Sequence, residues 1–191
     1  FFGHRVHELP PNGQGIAALI ALGLLERLDI VGLPPDSPEM LHLQIEAMKL
    51  GIGDVRAHVA DPAFMTIGPA ALLDPARLDE MARTIERDRV SVPTPGSIHR
   101  GATVYLTTAD QDGMMVSLIQ SNYHGFGSGV VVPGTGIALN NRGSCFVTAA
   151  GPPNRVGPSK RPLNTIIPGF VTQDGEPVIS FGVMGGTMQP Q

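Results

Sequence analysis

The sequence contains a single cysteine, Cys145, among its 191 residues. One thiol cannot form an internal disulfide, and it leaves no group of thiolates for a zinc site. We expect Cys145 to pack as an inert thiol rather than act as a nucleophile, because no His–Asp arrangement is apparent around it. A disulfide framework within this chain and a zinc–cysteine site are therefore excluded.

Basic side chains and long apolar runs are also scarce. The chain has 13 Lys and Arg against 17 Asp and Glu, a formal net charge of −4, and no basic stripe that could neutralise nucleic-acid phosphates. The longest apolar run, residues 15–25, is too short to span a bilayer, and no export signal is visible. We expect neither nucleic acid nor membrane as a partner.

What the sequence does contain favours a turn-rich globular fold of the α+β class. Apolar residues make up 42% of the chain, enough for a buried core, and 24 glycines with 18 prolines provide many turns. Helical periodicity dominates the first half and predicts helices over 16–29, from Ser37 onwards and over 74–87. Ser37 and Asp74 each precede a proline and are typical helix N-caps.

Two β-hairpins are predicted in the second half. One joins residues 103–110 to 114–121, and the other joins 165–173 to 177–184; both have an Asp-Gly pair in the connection. Residues 90–101, rich in Pro and Gly, are typical of an exposed linker between the helices and the first hairpin.

Three patterns could suggest a metal or cofactor site, but each is incomplete. His4 and His7 would lie on opposite faces of a short strand. Gly127-Ser-Gly129 lacks the third glycine of a dinucleotide loop, and Gly157-Pro-Ser-Lys160 lacks the second glycine of a phosphate loop. We therefore predict no cofactor and no metal. Lys160 with Arg161 could form either a solvated turn or a clamp for an anionic substrate.

Thr103 begins the first predicted strand, directly after the linker. Attack of its hydroxyl on the carbonyl carbon of Ala102 would turn the Ala102–Thr103 peptide into an ester, and hydrolysis would free the Thr103 α-amine. An α-amine titrates at about pH 8, so it could accept the hydroxyl proton at neutral pH. Since an ordinary strand-initial threonine has the same pattern, the residues alone leave a surface role open.

Four motifs follow Thr103 in order: Gln120–Gly129, Pro133–Asn141, Gly157–Pro162 and Gly182–Gly186. In this order and spacing they resemble the small-subunit signature of the gamma-glutamyltransferases, which are N-terminal-nucleophile hydrolases. Upstream, Leu9-Pro-Pro-Asn-Gly-Gln-Gly-Ile16 resembles the large-subunit segment that precedes the self-cleavage point. The resemblance covers essentially the whole chain.

The resemblance implies a fold and a division of the chain. Residues 1–102 would be the C-terminal helical part of a large subunit plus linker, and residues 103–191 the N-terminal β-rich part of a small catalytic subunit. Together they would form part of an αββα sandwich. The family's substrate-carboxylate arginine would lie upstream of Phe1 and its closing strands beyond Gln191, so we expect an internal fragment that is inactive alone.

The catalytic residues implied by the resemblance are four. Thr103 falls on the nucleophile, Ser121 on a hydroxyl that orients it, and Gly185 with Gly186 on the pair whose backbone amides form the oxyanion hole. The reaction would be hydrolysis or acyl transfer of a small-molecule amide through an acyl-Thr103 ester, with gamma-glutamyl amides of the glutathione type or related acyl amides as substrates. The partners would be the remainder of both subunits. The resemblance also implies that two such heterodimers could pair into a homo-oligomer.

Five candidate substrate-binding residues depart from the gamma-glutamyl-specific enzymes. Cys145 replaces an aspartate that pairs with the substrate ammonium, Arg142 a neutral or acidic residue, and Tyr123 an asparagine. Asn164 and Thr165 replace a serine pair that contacts the substrate carboxylate. Because an ammonium would lose its anionic partner and meet a cation, the chain resembles the acylase-like branch more closely. The altered pocket also suggests an alternative, a catalytically silent relative that acts as a binding or scaffolding protein.

Overall fold

The computed structural model describes residues 1–92 and 102–191. Most of the predicted linker, residues 93–101, lies outside the described residues. The described part is a mixed fold of helices and two small antiparallel sheets. Its helices and strands are, in chain order, β1 Arg5–His7, α1 Ile16–Leu25, α2 Pro38–His58, α3 Pro69–Leu72, α4 Pro75–Ala82, β2 Ala102–Ala109, β3 Met115–Tyr123, β4 Gly169–Gln173 and β5 Glu176–Phe181.

The predicted helix starts are confirmed by their caps. The Ser37 side chain accepts a hydrogen bond from the Met40 N–H at 3.2 Å, and the Asp74 carboxylate accepts one from the Arg77 N–H at 3.1 Å. Both caps satisfy a backbone donor in the first turn, which has no partner inside the helix. These short sequence signals therefore located the helix starts correctly.

The predicted ends of two helices were wrong. α1 ends at Leu25 rather than at residue 29, and α4 ends at Ala82 rather than at residue 87. Beyond each end the backbone forms tighter i→i+3 bonds, such as Leu28 N–H to Leu25 O at 3.2 Å. Leu28 is still buried against the core, so apolar periodicity continues after the helical hydrogen bonds have stopped.

The hydrophobic core lies largely between α1 and α2. Ile20 and Leu24 of α1 and Leu43 of α2 are fully buried. The two helices lie close together at Gly51, where a Cβ would lie 2.6 Å from the carbonyl oxygen of Ala17. Since that neighbour is backbone, it cannot move aside by changing a rotamer.

We expect Gly51→Ala to destabilise the protein by about 1–3 kcal/mol, because the added methyl group forces α1 and α2 apart. Gly53→Ala is the matched control in the same helix, since a Cβ there meets nothing within 4 Å. The control should be neutral or stabilising by up to about 1 kcal/mol, because alanine favours the helix over glycine. Urea unfolding of both variants measures the difference, and equal effects would contradict this packing.

The two sheets combine strands from both halves of the chain. β1, β4 and β5 form one antiparallel sheet, and β2 with β3 forms the other. β1 lies upstream of the helices yet pairs with β4, with Val6 opposite Val171. These two small sheets contain fewer strands than a complete αββα sandwich, so the sandwich stays a prediction. The division into large and small subunits after residue 102 also stays a prediction.

The first hairpin is confirmed nearly as predicted, whereas the strands of the second are shorter. β4 starts at Gly169 instead of residue 165. One reason is that Pro168 has no N–H to donate to a sheet. Another is that the residues before it bond elsewhere, Asn164 to the segment 12–14 and Ile167 to Gln189. β5 ends at Phe181 instead of residue 184, where the chain turns towards Gly185, whose φ is +154°.

Loops of the downstream half also contact the helical half through charged side chains. The Asp61 carboxylate accepts hydrogen bonds from the backbone N–H of Arg161 at 2.9 Å and from its Nε at 3.2 Å. These bonds hold the pKa of Asp61 at about 2. Lys160 lies over the Phe64 ring and donates to the carbonyl of Pro153. Both cations therefore contact the protein itself, which favours a structural role over an anion clamp.

Candidate active site

Thr103 and Ser121 lie opposite each other at the start of the β2–β3 hairpin. The hydroxyl of Thr103 donates to Ser121 Oγ at 3.2 Å, and the same oxygen accepts the backbone N–H of Tyr123 at 2.9 Å. The N–H of Tyr123 thus helps fix the Ser121 hydroxyl, which in turn orients the hydroxyl of Thr103. This is the hydrogen bond expected if Ser121 orients Thr103, and the catalytic roles of both residues stay predictions.

A β-bulge lies next to this pair. Ala102 is opposite Tyr123 and Thr103 is opposite Ser121, so Asn122 is an extra residue between them. Tyr123 has φ +75°, a left-handed conformation that is strained for a residue with a side chain. The register shift therefore falls on the Ala102–Thr103 peptide, where a bulge locally disrupts the hydrogen-bond ladder.

An open cleft of about 740 Å³ lies beside Thr103 and Ser121. Its lining brings together two strands of the first hairpin and the loop after β5. The lining residues are Thr103, Val104, Gln120, Ser121, Asn122, Gly125, Met184 and Gly185. Three of the four predicted catalytic residues thus line one cavity, and the fourth, Gly186, follows Gly185 in the chain and is buried.

Gly185 and Gly186 adopt backbone conformations that residues with a Cβ rarely reach. Their φ angles are +154° and +61°. The carbonyl of Gly185 accepts the Met188 N–H at 3.2 Å, and the carbonyl of Gly186 accepts the Gln189 N–H at 3.4 Å. The Gly185 carbonyl and the Gly186 N–H belong to one peptide, and in a trans peptide these two groups point in opposite directions. The bond from Met188 to the Gly185 carbonyl therefore directs the Gly186 N–H away from Met188. Such a fixed donor could stabilise a developing oxyanion.

Hydroxyl groups connect the strand of Thr103 to the strand that leads to these glycines. The Tyr105 hydroxyl contacts Ser117 Oγ at 2.9 Å and Ser180 Oγ at 3.4 Å. The Tyr105 ring covers Gly182, where a Cβ would lie 2.5 Å from a ring carbon. Gly182 therefore permits the close approach that holds β2 against β5.

Four of the five candidate substrate-binding residues form a second cluster. Arg142 is 8% exposed, its guanidinium carbon lies 4.6 Å from the centroid of the Tyr123 ring, and its Nη1 donates to Thr165 Oγ1 at 2.7 Å. Cys145 contacts Tyr123 and Arg142. Within residues 1–92 and 102–191, none of the salt bridges involves the Arg142 guanidinium. The cluster thus carries a buried positive charge with no anionic partner in the described part of the chain.

Burial changes the titration of two groups in this cluster. Burial, together with the neighbouring Cys145, raises the pKa of Tyr123 to about 12. Burial also raises the pKa of the Cys145 thiol above its usual value, against the lowering effect of Tyr123 and Arg142. A thiol with a raised pKa is mostly protonated at neutral pH, which supports a packing role for Cys145 over a nucleophilic one.

Asn164 lies apart from the cluster. Its side-chain oxygen accepts the Ile166 N–H at 3.2 Å, and its backbone pairs with Asn12 and Gln14. None of the five candidate substrate-binding residues lines the cleft beside Thr103 in the described chain. The cluster reaches the cleft through the Tyr123 N–H, which donates to Ser121. Substrate binding by these residues stays a prediction.

A family model described as gamma-glutamyltranspeptidase matches residues 1–191. The chain belongs to the gamma-glutamyltranspeptidase family. The family membership expected from the four motifs is therefore confirmed over the full length of the sequence.

Two relatives with similar sequences are a glutathione hydrolase-like proenzyme and an amidohydrolase proenzyme. The chain is 38% identical over 189 residues to the glutathione hydrolase-like YwrD proenzyme of Bacillus subtilis, covering 99% of this chain and 36% of the relative. It is 36% identical over 184 residues to the oxamate amidohydrolase proenzyme of Klebsiella pneumoniae, covering 96% of this chain and 34% of the relative. The chain thus spans about a third of the length of these curated relatives.

The fold also matches a solved structure. A cephalosporin acylase from Bacillus halodurans superposes with a TM-score of 0.89 at 48% sequence identity, covering 98% of this chain and 34% of that chain. This similarity supports the expected likeness to the acylase-like branch of the gamma-glutamyltranspeptidase family.

One buried residue near the candidate oxyanion glycines was missed by the sequence reasoning. Gln14 is 4% exposed, and its Nε2 donates to the carbonyl oxygens of Thr165 and Gly186, each at 2.8 Å. The available signal was its place between two glycines in the family-like segment 9–16. A buried side-chain amide needs hydrogen-bond partners, and for Gln14 the backbone carbonyls supply them.

The histidines near the start of the chain belong to no metal cluster. In the part of the chain that the structure describes, no group of three or more His, Cys, Asp or Glu side chains is arranged to hold a metal ion. His4 lies just before β1 and His7 within it, where His7 bonds to Thr172.

Over residues 1–92 and 102–191, none of the helices has the length and apolar character needed to cross a bilayer.

Proposed function

We propose that this member of the gamma-glutamyltranspeptidase family is an N-terminal-nucleophile amidohydrolase or acyltransferase that cleaves itself before Thr103. The observation that carries the proposal is the hydrogen bond from Thr103 Oγ1 to Ser121 Oγ at a cleft that Gly185 also lines. Relatives named as hydrolases and as proenzymes support the same activity and a precursor form.

Self-cleavage would start with attack of Thr103 Oγ1 on the carbonyl carbon of Ala102. The C–N bond breaks as the C–O bond forms, so the amide becomes an ester and the nitrogen takes up the proton as an amine. Water then hydrolyses the ester and releases the upstream carboxylate. The bulge at Ala102–Thr103 supports this step, since an irregular ladder restrains the peptide less than a regular one.

Turnover would use the newly freed α-amine as the general base. As Thr103 Oγ1 attacks the substrate carbonyl carbon, the amine takes the hydroxyl proton and later delivers it to the leaving nitrogen. The negative charge on the substrate oxygen would be stabilised by the backbone N–H groups of Gly185 and Gly186. Water, or an acceptor amine, then takes the acyl group from Thr103.

The substrate would be a gamma-glutamyl amide or a related acyl amide. Arg142 favours acyl groups that carry no ammonium, because its charge is buried and has no carboxylate partner in the described chain. Cys145, in contact with Arg142, offers an ammonium no negative charge either. The acylase and amidohydrolase names among the relatives support such a range of amides.

Because the chain spans about a third of the length of its relatives, we propose that the complete enzyme contains more chain. We propose residues 1–102 as part of the large subunit and residues 103–191 as part of the small one. Val104, Leu106, Val116 and Leu118 alternate along the first hairpin and are 43–58% exposed. An apolar face of this kind needs a covering layer, which supports an αββα sandwich completed by further small-subunit strands or helices.

The substrate preference can be tested with a pair of anilides that differ in one group. We expect the full-length enzyme to hydrolyse glutaryl p-nitroanilide at least as well, in kcat/KM, as gamma-glutamyl p-nitroanilide, which adds only the α-ammonium. In the double variant Arg142→Gln with Cys145→Asp, the preference should move towards the gamma-glutamyl substrate by about tenfold or more, because the ammonium gains an anionic partner and loses a cation.

Two outcomes would contradict this assignment. A wild-type preference of more than tenfold for the gamma-glutamyl anilide would show that the charge of Arg142 does not act on the acyl group. An unchanged preference in the double variant would place the acyl pocket elsewhere. An uncleaved chain with no activity on either anilide would instead favour a silent binding or scaffolding relative.

A further inference from the structure

Gln14 connects three backbone segments that the sequence places far apart. Its backbone N–H donates to the carbonyl of Asn164 at 2.9 Å, and its side-chain amide donates to the carbonyls of Thr165 and Gly186 at 2.8 Å each. Asn12, two residues earlier, accepts the Asn164 N–H at 2.8 Å. The segment 12–14, upstream of the proposed cut, is thus bonded to residues downstream of it.

The side-chain amide of Gln14 has two N–H groups, and both are used. One holds Thr165, whose hydroxyl accepts the bond from Arg142. The other holds Gly186, which follows the glycine that lines the cleft. At 4% exposure the amide is shielded from water, so its bonds are stronger and more costly to lose than exposed ones.

Two consecutive glycines need an external restraint to keep one conformation. Without a Cβ, Gly185 and Gly186 can adopt many φ and ψ combinations, whereas a donor that stabilises an oxyanion needs one fixed orientation. The bonds from Met188 and Gln189 come from the same short loop and move with it. The bond from Gln14 comes from outside the loop and ties it to the segment that begins α1.

We propose that Gln14 is a positioning residue that fixes the Gly185–Gly186 backbone for oxyanion stabilisation, acting from the upstream side of the self-cleavage point. This inference rests on the proposed function. The upstream segment must then stay bound after cleavage, because the site is incomplete without its amide. Gln14 acts through Gly186 and does not touch the substrate.

The test replaces Gln14 with methionine, which has similar length but no donor, in the full-length protein. We expect kcat on the preferred anilide to fall by about 10- to 100-fold, while KM changes less. Self-cleavage, followed by denaturing gels, should slow as well, because its oxyanion would use the same amides. Val55→Ala, in α2 and 4% exposed, serves as the control for a general loss of packing.

The inference is overturned if Gln14→Met has the kcat of the wild type, or loses no more than Val55→Ala. Thr103→Ala, run in parallel, separates this failure from that of the proposed function. An active Thr103→Ala removes the proposed nucleophile, whereas an inactive Thr103→Ala beside a fully active Gln14→Met removes only the role of Gln14.

Gln14→Glu gives a second readout if the methionine variant does not fold. An ionised glutamate cannot donate to either carbonyl, but a protonated one can donate to one of them. The ratio of variant kcat to wild-type kcat should therefore rise as the pH is lowered from 8 to 5. A flat ratio would overturn the positioning role.

Discussion

Replacing Thr103 with alanine should abolish both self-cleavage and turnover. Both reactions need the same oxygen, first to attack the carbonyl carbon of Ala102 and then to attack the substrate. Removing a catalytic nucleophile typically lowers kcat by a factor on the order of 10⁴–10⁶. Mass spectrometry of the purified full-length protein should show one intact chain for the variant and two for the wild type, with cleavage between Ala102 and Thr103.

Thr108→Ala is the matched control for this experiment. Thr108 lies on the same strand as Thr103 and is exposed. Its variant loses the same hydroxyl and methyl groups but should cleave itself and hydrolyse substrate normally. Retained hydrolysis by Thr103→Ala would move the chemistry to another residue, and an intact wild-type chain after prolonged incubation would contradict self-cleavage at this bond.

Gly185→Ala should lower kcat by about 10²- to 10³-fold, the effect of losing one oxyanion donor. A Cβ at Gly185 would meet only the Cβ of Met188, at the ordinary distance of 3.6 Å, so lack of space is not the cause. The cause is the φ of +154°, which alanine avoids. The backbone would rotate to relieve the strain and change the orientation of the two amides. Steady-state kinetics on the preferred anilide measures the loss.

Gly175→Ala separates this effect from general destabilisation. Gly175 lies in the turn between β4 and β5 with φ +91°, and a Cβ there meets no atom within 4 Å. Both variants should lose about 1 kcal/mol or more of folding free energy through backbone strain. Only Gly185→Ala should lose kcat, measured well below either melting temperature. An equal loss of kcat in both variants would argue against an oxyanion role for Gly185.

The structure also explains why the boundaries of several elements were predicted poorly. Apolar periodicity reports which residues are buried, and Leu28 is buried although α1 has already ended at Leu25. The run Thr165-Ile166-Ile167 has strong β propensity, yet β4 starts only at Gly169. The residues before β4 bond to the segment 12–14 and to Gln189 instead. Those partners lie far away in the sequence, so local patterns could not predict them.

The sequence by itself determined the family, the helix starts, the two hairpins and the candidate nucleophile with its serine and glycine partners. These depend on local signals, such as a capping side chain or an Asp-Gly turn, or on motifs whose order along the chain is specific. Only the tertiary structure decided that β1 joins β4, that Arg142 is buried without an anion in the described chain, and that Gln14 holds the Gly186 carbonyl. Each of these joins residues far apart in the chain or depends on what surrounds a side chain, and neither is encoded in local sequence spacing.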